Sequence, residues 1–367
     1  MAGTGYSIET VSRNADLRSF ETDWNRLSES ARAPNAFTTF GWFQAWSERF
    51  ERDDHSSQFC PHVLILKQAG TVVGLSPLTC RRQIRFGISV RKLEFAGVYA
   101  DYNDLVLGED AAGQINAITD YLAENSKRWD VLDLRDLRDG GEGVEMLKDA
   151  LTRAGLPFIL SLEKEGCPYT AIDGNAECLM KRLSGHTRRT LRRRSERAVS
   201  EGLNIRIIED PHDEPHLLET LVELERKKHH YKLWATFLGD YQEVFQSLFD
   251  TLGPRGWIYV ALMEQRGHPI AFQLGFRCGQ KLWDYTKAYD RSFSRFAPGT
   301  LLLPALLDYA FEHGYDEIDF LRGEEPYKLV WSTGCHRRFR LLVWNERLVS
   351  RLHKFLYHDV KSAVNGL

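Results

Sequence analysis

The chain has 367 residues, enough for two domains at roughly 150 residues each. Apolar residues make up 43% and charged residues 27%, which are the proportions of a soluble globular protein and exclude wholesale disorder. The formal net charge is −3 at pH 7, so any attraction for polyanions must come from local clusters of basic residues.

Signals for export, membrane insertion and metal binding are absent from the sequence. No apolar run approaches the ~18 residues of a membrane span, and the N-terminus lacks the basic and apolar regions of a signal peptide. The six cysteines are scattered without a Cys-x-x-Cys pair, which favours reduced thiols over a disulfide framework or a zinc site. We therefore expect a cytoplasmic protein without a metal.

The two halves of the chain show the same order of predicted elements. A strand, a turn and a returning strand occur at 61–78 and again at 257–276. In each half a helical pattern then leads into a strand, at 118–134 and at 307–320. A repeat spaced by ~190 residues predicts a duplicated α+β domain with mixed sheets, although any two α/β units share some likeness.

A basic loop joins a strand to a helix in the second half. The strand 281–289 runs into the loop 291–300, and an apolar helix is predicted from Leu301 to His313. Free N–H groups and the helix dipole attract anions at a helix N-terminus, where a glycine permits close approach. The pattern predicts a phosphate site with Thr300 as the N-cap, and an ordinary strand-to-helix connection is the alternative. The residues expected to form it are Arg295, Ala297, Pro298, Gly299 and Thr300.

The first half lacks this basic loop. Turn-forming residues cluster at 166–175, which predicts a first domain of residues 1–168 and a second of 169–367. In the first domain the corresponding stretch, 101–110, is acidic, and carboxylates repel a pyrophosphate. Only the second domain is expected to hold the anion.

Two segments of the second half resemble one family of enzymes. They are residues 294–303 (SRFAPGTLLL) and 319–331 (DFLRGEEPYKLVW), and residues 40–46 (FGWFQAW) also fit. The basic loop resembles that of GNAT acyltransferases. Both segments look like the CelD/BcsL branch, which carries tandem GNAT-like domains and is related to Fem-type transferases of peptidoglycan bridge synthesis. Pro304, inside the donor helix, departs from the pattern.

The resemblance implies two tandem GNAT-like domains, the second of which binds acetyl-CoA or another acyl-CoA. It also implies transfer of the acyl group to an amine of an amino sugar or polysaccharide precursor, for cell-surface polysaccharide biosynthesis. Two alternatives remain open. One is a Fem-like transferase that takes an aminoacyl group from tRNA, and the other is a non-catalytic effector with a GNAT fold that senses a nucleotide.

Polar and aromatic side chains crowd the segment that follows the strand at 317–320. Acyl transfer to an amine needs a base for the ammonium proton, donors for the oxyanion and an acid for the thiolate. Tyr327 is the acid candidate, and Lys328 or Arg322 could hold an anion. The alternative is that Arg322 pairs with Glu325 and the aromatic residues pack the sheet. The candidates for base, acid and substrate contact are Asp284, Asp319, Glu324, Glu325, Tyr327, Lys328, Arg322 and Trp331.

Residues 227–234 end a long helix and combine cations with aromatic rings. His230 and Trp234 are candidates for contact with a sugar acceptor, and a solvated turn is the alternative. The adjacent histidines point to different helix faces, so a shared metal is not expected.

The segment 181–197 is strongly basic, with eight basic residues against one acid. Arg189, Arg193 and Arg197 fall at i, i+4 and i+8, so they form one cationic ridge on a helix. An anionic nucleotide, RNA, a cofactor phosphate or an anionic membrane would suit this ridge, and a solvated helix is the alternative. The run contains no aromatic residue, so stacking on single-stranded bases has little support. We expect no DNA partner.

The C-terminal stretch 347–356 is basic and amphipathic. Leu348, Leu352, Phe355 and Leu356 share one helix face. Such a helix could lie on a membrane surface or dock on its own domain. We expect membrane contact to be peripheral at most.

Overall fold

The computed structural model describes residues 5–53, 59–96, 99–139, 143–173, 176–228 and 236–365. The chain forms two compact units, Met1–Lys164 with Arg337–Leu367, and Glu165–His336. This division differs from the predicted one, because the C-terminal strand and helix belong to the first unit. The second unit is therefore one continuous segment that interrupts the first.

The first unit begins with nine strands and five helices among its described residues. The strands are β1 (Tyr6–Val11), β2 (Phe59–Pro61), β3 (Val63–Gln68), β4 (Thr71–Ser76), β5 (Leu78–Arg85), β6 (Ile88–Phe95), β7 (Val106–Leu107), β8 (Val131–Arg138) and β9 (Phe158–Leu162). The helices are α1 (Asn14–Leu17), α2 (Glu21–Ser30), α3 (Phe40–Asp53), α4 (Ala111–Glu124) and α5 (Gly143–Arg153).

The second unit follows, and the chain then returns to the first. Its strands are β10 (Cys167–Ala171), β11 (Leu203–Ile208), β12 (Ile258–Gln265), β13 (His268–Cys278), β14 (Lys281–Tyr289), β15 (Glu317–Asp319) and β16 (Gly334–His336). Its helices are α6 (Ala176–Arg182), α7 (Gly185–Ser200), α8 (Leu217–Lys228), α9 (Phe237–Asp240), α10 (Gln242–Leu252), α11 (Pro298–Glu312) and α12 (Pro326–Trp331). The returning elements are β17 (Arg338–Trp344) and α13 (Leu348–Asn365).

The first unit contains two sheets, in the orders β1-β3-β4-β7 and β2-β5-β6-β8-β17-β9. β6 and β8 are parallel over three residue pairs, and α4 lies between them in the chain. The returning strand β17 pairs antiparallel with both β8 and β9. Leu341 and Val343 on β17 are fully buried in the core of this unit, so the C-terminal strand is an integral part of it.

The second unit has one seven-stranded sheet, in the order β11-β12-β13-β14-β15-β10-β16. β14 and β15 are parallel over three residue pairs and are joined through α11, which repeats the β6–α4–β8 arrangement. Leu282 and Ile318 pack with Leu303 and Leu306 of α11 on one face of the sheet. The predicted α+β fold with mixed sheets and a repeated plan is confirmed.

Candidate functional site

β14 and β15 part after their three paired residues. Trp283 and Asp319 form the last pair, after which β15 ends and β14 continues to Tyr289. On its other side β14 stays paired with β13, with Tyr285 as the extra residue of a bulge. Beyond Trp283, β14 has no strand partner on the β15 side among the described residues. Its main-chain groups can therefore bind an extended ligand, as a sheet edge binds a peptide.

The bulge is built around Gly275 of β13. A Cβ atom at this position would overlap the Trp283 carbonyl oxygen and the Tyr259 ring. The Tyr259 hydroxyl donates to that carbonyl at 3.3 Å, where the strands separate. Burial raises the pKa of Tyr259 well above its usual value, so the hydroxyl keeps its proton and stays a donor.

Helix α11 starts beside the end of β14, earlier than the sequence predicted. Residues Arg291–Phe296 form a short 3₁₀ helix, and Ala297 adopts a left-handed conformation (φ 51°) before Pro298. Proline suits the first helical position because its missing N–H would lack a partner there. Thr300 is thus not the N-cap but lies in the first turn, where its N–H donates to the Ala297 carbonyl at 2.9 Å. A Cβ atom on Gly299 would meet nothing within 4 Å, so a ligand can approach this turn.

The arginine-rich helix α7 lies against this first turn. Arg194 Nη1 lies 3.4 Å from Thr300 Oγ1, which accepts its hydrogen bond. The Arg197 and Arg295 guanidinium groups lie 5.5 and 4.6 Å from the centre of the Phe296 ring. Glu201 pairs with both, at 3.5 and 3.3 Å. The predicted anion site therefore has basic side chains beside the helix N-terminus.

The predicted cationic ridge divides into two parts. Arg189 and Arg193 are exposed, and neither has a hydrogen-bond or ion-pair partner among the described residues. Arg197 instead turns toward the 3₁₀ helix. The contact of Arg194 was missed because it lies off the ridge. Arg194 lies three residues after the buried Leu191 and four before the buried Ala198, so all three share one side of the helix. This helical spacing could have predicted that Arg194 lies beside the core.

The polar segment after β15 forms the short helix α12. Lys328 is buried, and its ammonium pairs with Glu325 at 2.9 Å and donates to the Arg322 carbonyl at 2.6 Å. The positive charge of Lys328 is therefore compensated by partners within its own segment. Trp331 is 9% exposed and packs in the core with Leu303. This burial favours the alternative of packing, and contact of Trp331 with substrate stays a prediction.

Lys287 contacts both Asp284 and Tyr327 and so connects these two predicted site residues. Lys287 itself was not predicted from the sequence. Lys287 Nζ pairs with the buried Asp284 at 2.7 Å and lies 4.2 Å from the centre of the Tyr327 ring. Residues three apart on a regular strand point to opposite faces, but the bulge at Tyr285 brings Asp284 and Lys287 to the same face. Burial and the Asp284 and Glu325 carboxylates raise the pKa of Tyr327 well above its usual value. Tyr327 therefore keeps its proton at neutral pH, and it is 40% exposed.

Asp319 belongs to a second group of ionisable side chains. Asp319 is fully buried and accepts a hydrogen bond from the Leu321 N–H at 2.8 Å. His336 Nε2 lies 3.1 Å from Glu317 and 4.0 Å from Asp319. Burial would raise the pKa of Glu317, but hydrogen bonds from His336 and Lys281 lower it to about 2.

Three of these side chains, Glu317, Asp319 and His336, offer ligand atoms within 4.8 Å of one another, so they could hold a metal ion. The Lys281 ammonium, 2.9 Å from Glu317, already supplies a positive charge there. Two predicted acceptor contacts, His230 and Trp234, lie outside the described residues. The predicted base candidate Glu324 is exposed, and its carboxylate accepts a hydrogen bond from the Gly166 N–H at 3.2 Å.

Comparison with known proteins agrees with this geometry. Residues 185–329, from α7 to α12, match the family described as "Acetyltransferase (GNAT) domain". The second unit carries a GNAT-type acyltransferase domain. The predicted enzyme class is thereby confirmed, whereas membership of the CelD/BcsL branch stays a prediction. No curated protein matches the sequence.

Solved structures share the fold over most of the chain. FemX superposes with a TM-score of 0.62 at 14% identity, covering 91% of this chain and 98% of FemX. A conserved protein of unknown function from Bacteroides thetaiotaomicron gives 0.59 at 11% identity, covering 92% and 100%. L-PGS from Bacillus licheniformis gives 0.51 at 14% identity, covering 78% and 85%. At such identities the likeness concerns the fold alone.

Proposed function

We propose that this protein transfers an acyl group from acyl-CoA, with acetyl-CoA the first candidate, to an amine. The observation that carries the proposal is the opening between β14 and β15, which lies beside the N-terminus of α11. The acceptor we propose is an amino sugar or polysaccharide precursor. Support for that acceptor class is the resemblance of residues 294–303 and 319–331 to the CelD/BcsL branch.

The donor fits the second unit in two places. The unpaired edge of β14 can hydrogen-bond the amides of an extended pantetheine chain. The first turn of α11, open at Gly299, presents the positive end of the helix dipole to the pyrophosphate, although Pro298 has no N–H and the Thr300 N–H already donates to Ala297. Arg194 and Arg295 lie near enough to this turn to supply further positive charge.

Two side chains suit the proton transfers of the reaction. The amine attacks the thioester carbonyl carbon, and its excess proton passes to the Asp284 carboxylate, which Lys287 holds in place. The carbon–sulfur bond then breaks, and the thiolate takes the Tyr327 hydroxyl proton. The proton held by Asp284 then passes to the Tyr327 oxygen, which returns both groups to their starting states. Tyr327 is exposed on α12 together with Leu329 and Val330, and this partly apolar surface suits the face of a sugar ring.

A valine at position 299 tests the donor site. Gly299→Val should weaken CoA binding at least tenfold in calorimetry, because the branched side chain occupies the approach to the helix turn. The melting temperature should stay nearly unchanged, since a Cβ atom meets no neighbour. Gly143→Val is the matched control, because Gly143 begins α5 in the first unit and is equally open. Unchanged CoA affinity in a folded Gly299→Val protein would contradict the proposed donor site.

A second candidate function is aminoacyl transfer from tRNA, as the resemblance to Fem-type transferases implies. The superposition on FemX over nearly the whole chain and the exposed pair Arg189 and Arg193 favour it. The double variant Arg189→Ala/Arg193→Ala should then lose tRNA binding and its salt dependence, with little change in melting temperature. Tight binding of a cyclic dinucleotide without any acyl transfer would instead favour the nucleotide-sensing alternative.

A further inference from the structure

Two cysteines of the first unit lie directly opposite each other on neighbouring strands. Cys60 is the middle residue of β2, and its partner in the antiparallel register is Cys80 of β5. β2 is the outermost strand of its sheet and pairs there with β5 alone. Both cysteine residues are half-buried.

The backbone pairing sets the distance between these two residues. The His62 N–H donates to the Leu78 carbonyl at 2.8 Å, which makes His62 and Leu78 a hydrogen-bonded pair. Hydrogen-bonded pairs alternate along an antiparallel ladder, so Cys60 and Cys80 form the next one, and Pro61, which lacks an N–H, occupies the position between. Cα atoms in such pairs are about 5.5 Å apart, within the ~4.4–6.8 Å range of disulfides.

The two side chains lie on the same face of the sheet, because Cys60 and Cys80 are directly opposite each other in the register. The neighbouring Cys80 thiol lowers the pKa of Cys60, although burial and the nearby Glu51 oppose the effect, and the pKa of Cys80 is raised in turn. A thiolate is the form that reacts with oxidants, and the lowered pKa of Cys60 favours that form.

We propose that hydrogen peroxide converts Cys60 and Cys80 of the folded protein into a reversible disulfide that fastens the edge strand β2 to β5. The Cys60 thiolate attacks one peroxide oxygen, the O–O bond breaks, and the departing hydroxide becomes water, which leaves a sulfenic acid. The Cys80 sulfur then attacks the Cys60 sulfur. The S–S bond forms as the S–O bond breaks, and a second water leaves with the Cys80 proton. The two sulfurs together lose two electrons and the peroxide gains them, and a thiol reductant reverses the bond.

Other cysteines lack this arrangement where the structure describes their side chains. Cys335 is exposed, but the residue opposite it on β10 is Pro168. Cys278 is buried and lies opposite Lys281. Cys335→Ser is therefore a suitable control, because it removes an exposed thiol without touching the pair.

Thiol counting and peptide mapping of the full-length protein test the proposal. After treatment with peroxide, alkylation and trypsin, Cys60 and Cys80 should appear in one linked peptide pair, since Lys67 separates them into different tryptic peptides. Free thiols counted after denaturation should fall from six to four and return to six with dithiothreitol. Cys335→Ser should still form the link, and Cys80→Ser should not.

Several results would overturn the proposal. One is that both cysteines are still alkylated after peroxide treatment, and another is that Cys60 becomes linked to a different cysteine. A third is that the protein unfolded in urea forms the Cys60–Cys80 link in the same yield as the folded protein. Amide hydrogen exchange then tests the fastening of β2. The peptide containing β2 should exchange more slowly in the oxidised protein than in the reduced one, and equal rates would refute that part of the proposal.

Discussion

Tyr327 is held by its neighbours in the protonated state. Its ring contacts the Lys287 ammonium, while burial and two carboxylates disfavour the phenolate. Because its pKa is raised, the hydroxyl remains protonated across the whole neutral range. The alkaline limb of the pH–rate profile should therefore reflect the titration of groups other than Tyr327.

Removal of this hydroxyl is the sharpest test of its role. We expect Tyr327→Phe to lower kcat by about 10²–10⁴, the usual effect of losing a positioned acid. KM for acyl-CoA and the melting temperature should change little, since the ring and its contact with Lys287 are kept. Full activity of Tyr327→Phe with the correct acceptor would show that the hydroxyl has no part in the chemistry.

Lys328 lies next to Tyr327 in the chain but should behave differently. Its buried ammonium holds the Arg322 carbonyl and pairs with Glu325, so Lys328→Met should destabilise the protein by about 1–3 kcal/mol. Chemical denaturation measures the loss, and Glu325→Gln, which alters a half-exposed partner, should cost less. A Lys328→Met protein of normal stability with weakened acceptor binding would instead restore the substrate role expected from the sequence.

The sequence could identify Asp284 and Tyr327 as candidates but not the link between them. Their residue types suit acid–base chemistry wherever they lie on a strand end or loop. Their proximity depends on the bulge at Tyr285, which needs Gly275 on the neighbouring strand and Tyr259 on the next. No local pattern in residues 284–287 reveals a bulge that is imposed by residues at 259 and 275.

At the scale of elements, α13 shows how an amphipathic pattern can be misleading. Ser350 and His353 are buried, and Trp344 Nε1 donates to His353 Nδ1 at 3.0 Å. The apolar side chains Leu348 and Phe355 point outward instead, at 82% and 62% exposure. Over residues 348–357, the buried positions are thus polar, whereas Leu348, Leu352 and Phe355 are exposed and Tyr357 packs inward, against Trp344.

This outward apolar face makes peripheral membrane contact testable. None of the described helices is long and apolar enough to cross a membrane. We expect the protein to co-sediment with phosphatidylglycerol vesicles more than with phosphatidylcholine vesicles, because the exposed Arg351 flanks the apolar side chains. Leu352→Ser/Phe355→Ser should abolish co-sedimentation without lowering the melting temperature. If the variant and the parent protein co-sediment equally with the vesicles, the exposed apolar side chains of α13 are not the membrane contact.

For the whole molecule, the repeated order of strands and helices was readable from the sequence, but the division into units was not. Hairpins and helix–strand series follow from local hydrophobic periods. The position of β17 in the sheet depends on pairing with β8, about 200 residues earlier in the chain. The sequence of a short apolar strand does not show which strand it pairs with. The predicted boundary at 168/169 also falls within β10, which pairs with β15 and β16.

The two units should therefore respond differently to truncation. A fragment of residues 165–336 contains its complete sheet and should unfold cooperatively on heating. A fragment of residues 1–164 lacks β17, whose buried Leu341 and Val343 each contribute about 1.5–3 kcal/mol, and should not fold. Circular dichroism melting curves of both fragments provide the measurement. A cooperatively folded 1–164 fragment would show that β17 is dispensable.

The discontinuous first unit also determines when each part can fold during translation. A domain at the N-terminus of a chain ordinarily folds first, as soon as it leaves the ribosome. Here the first unit stays incomplete until Trp344 has been made, whereas the second needs nothing beyond His336. The later-synthesised half should thus reach its native state before the earlier one. Until then the strands β8 and β9 expose edges that a chaperone, or another nascent chain, could occupy.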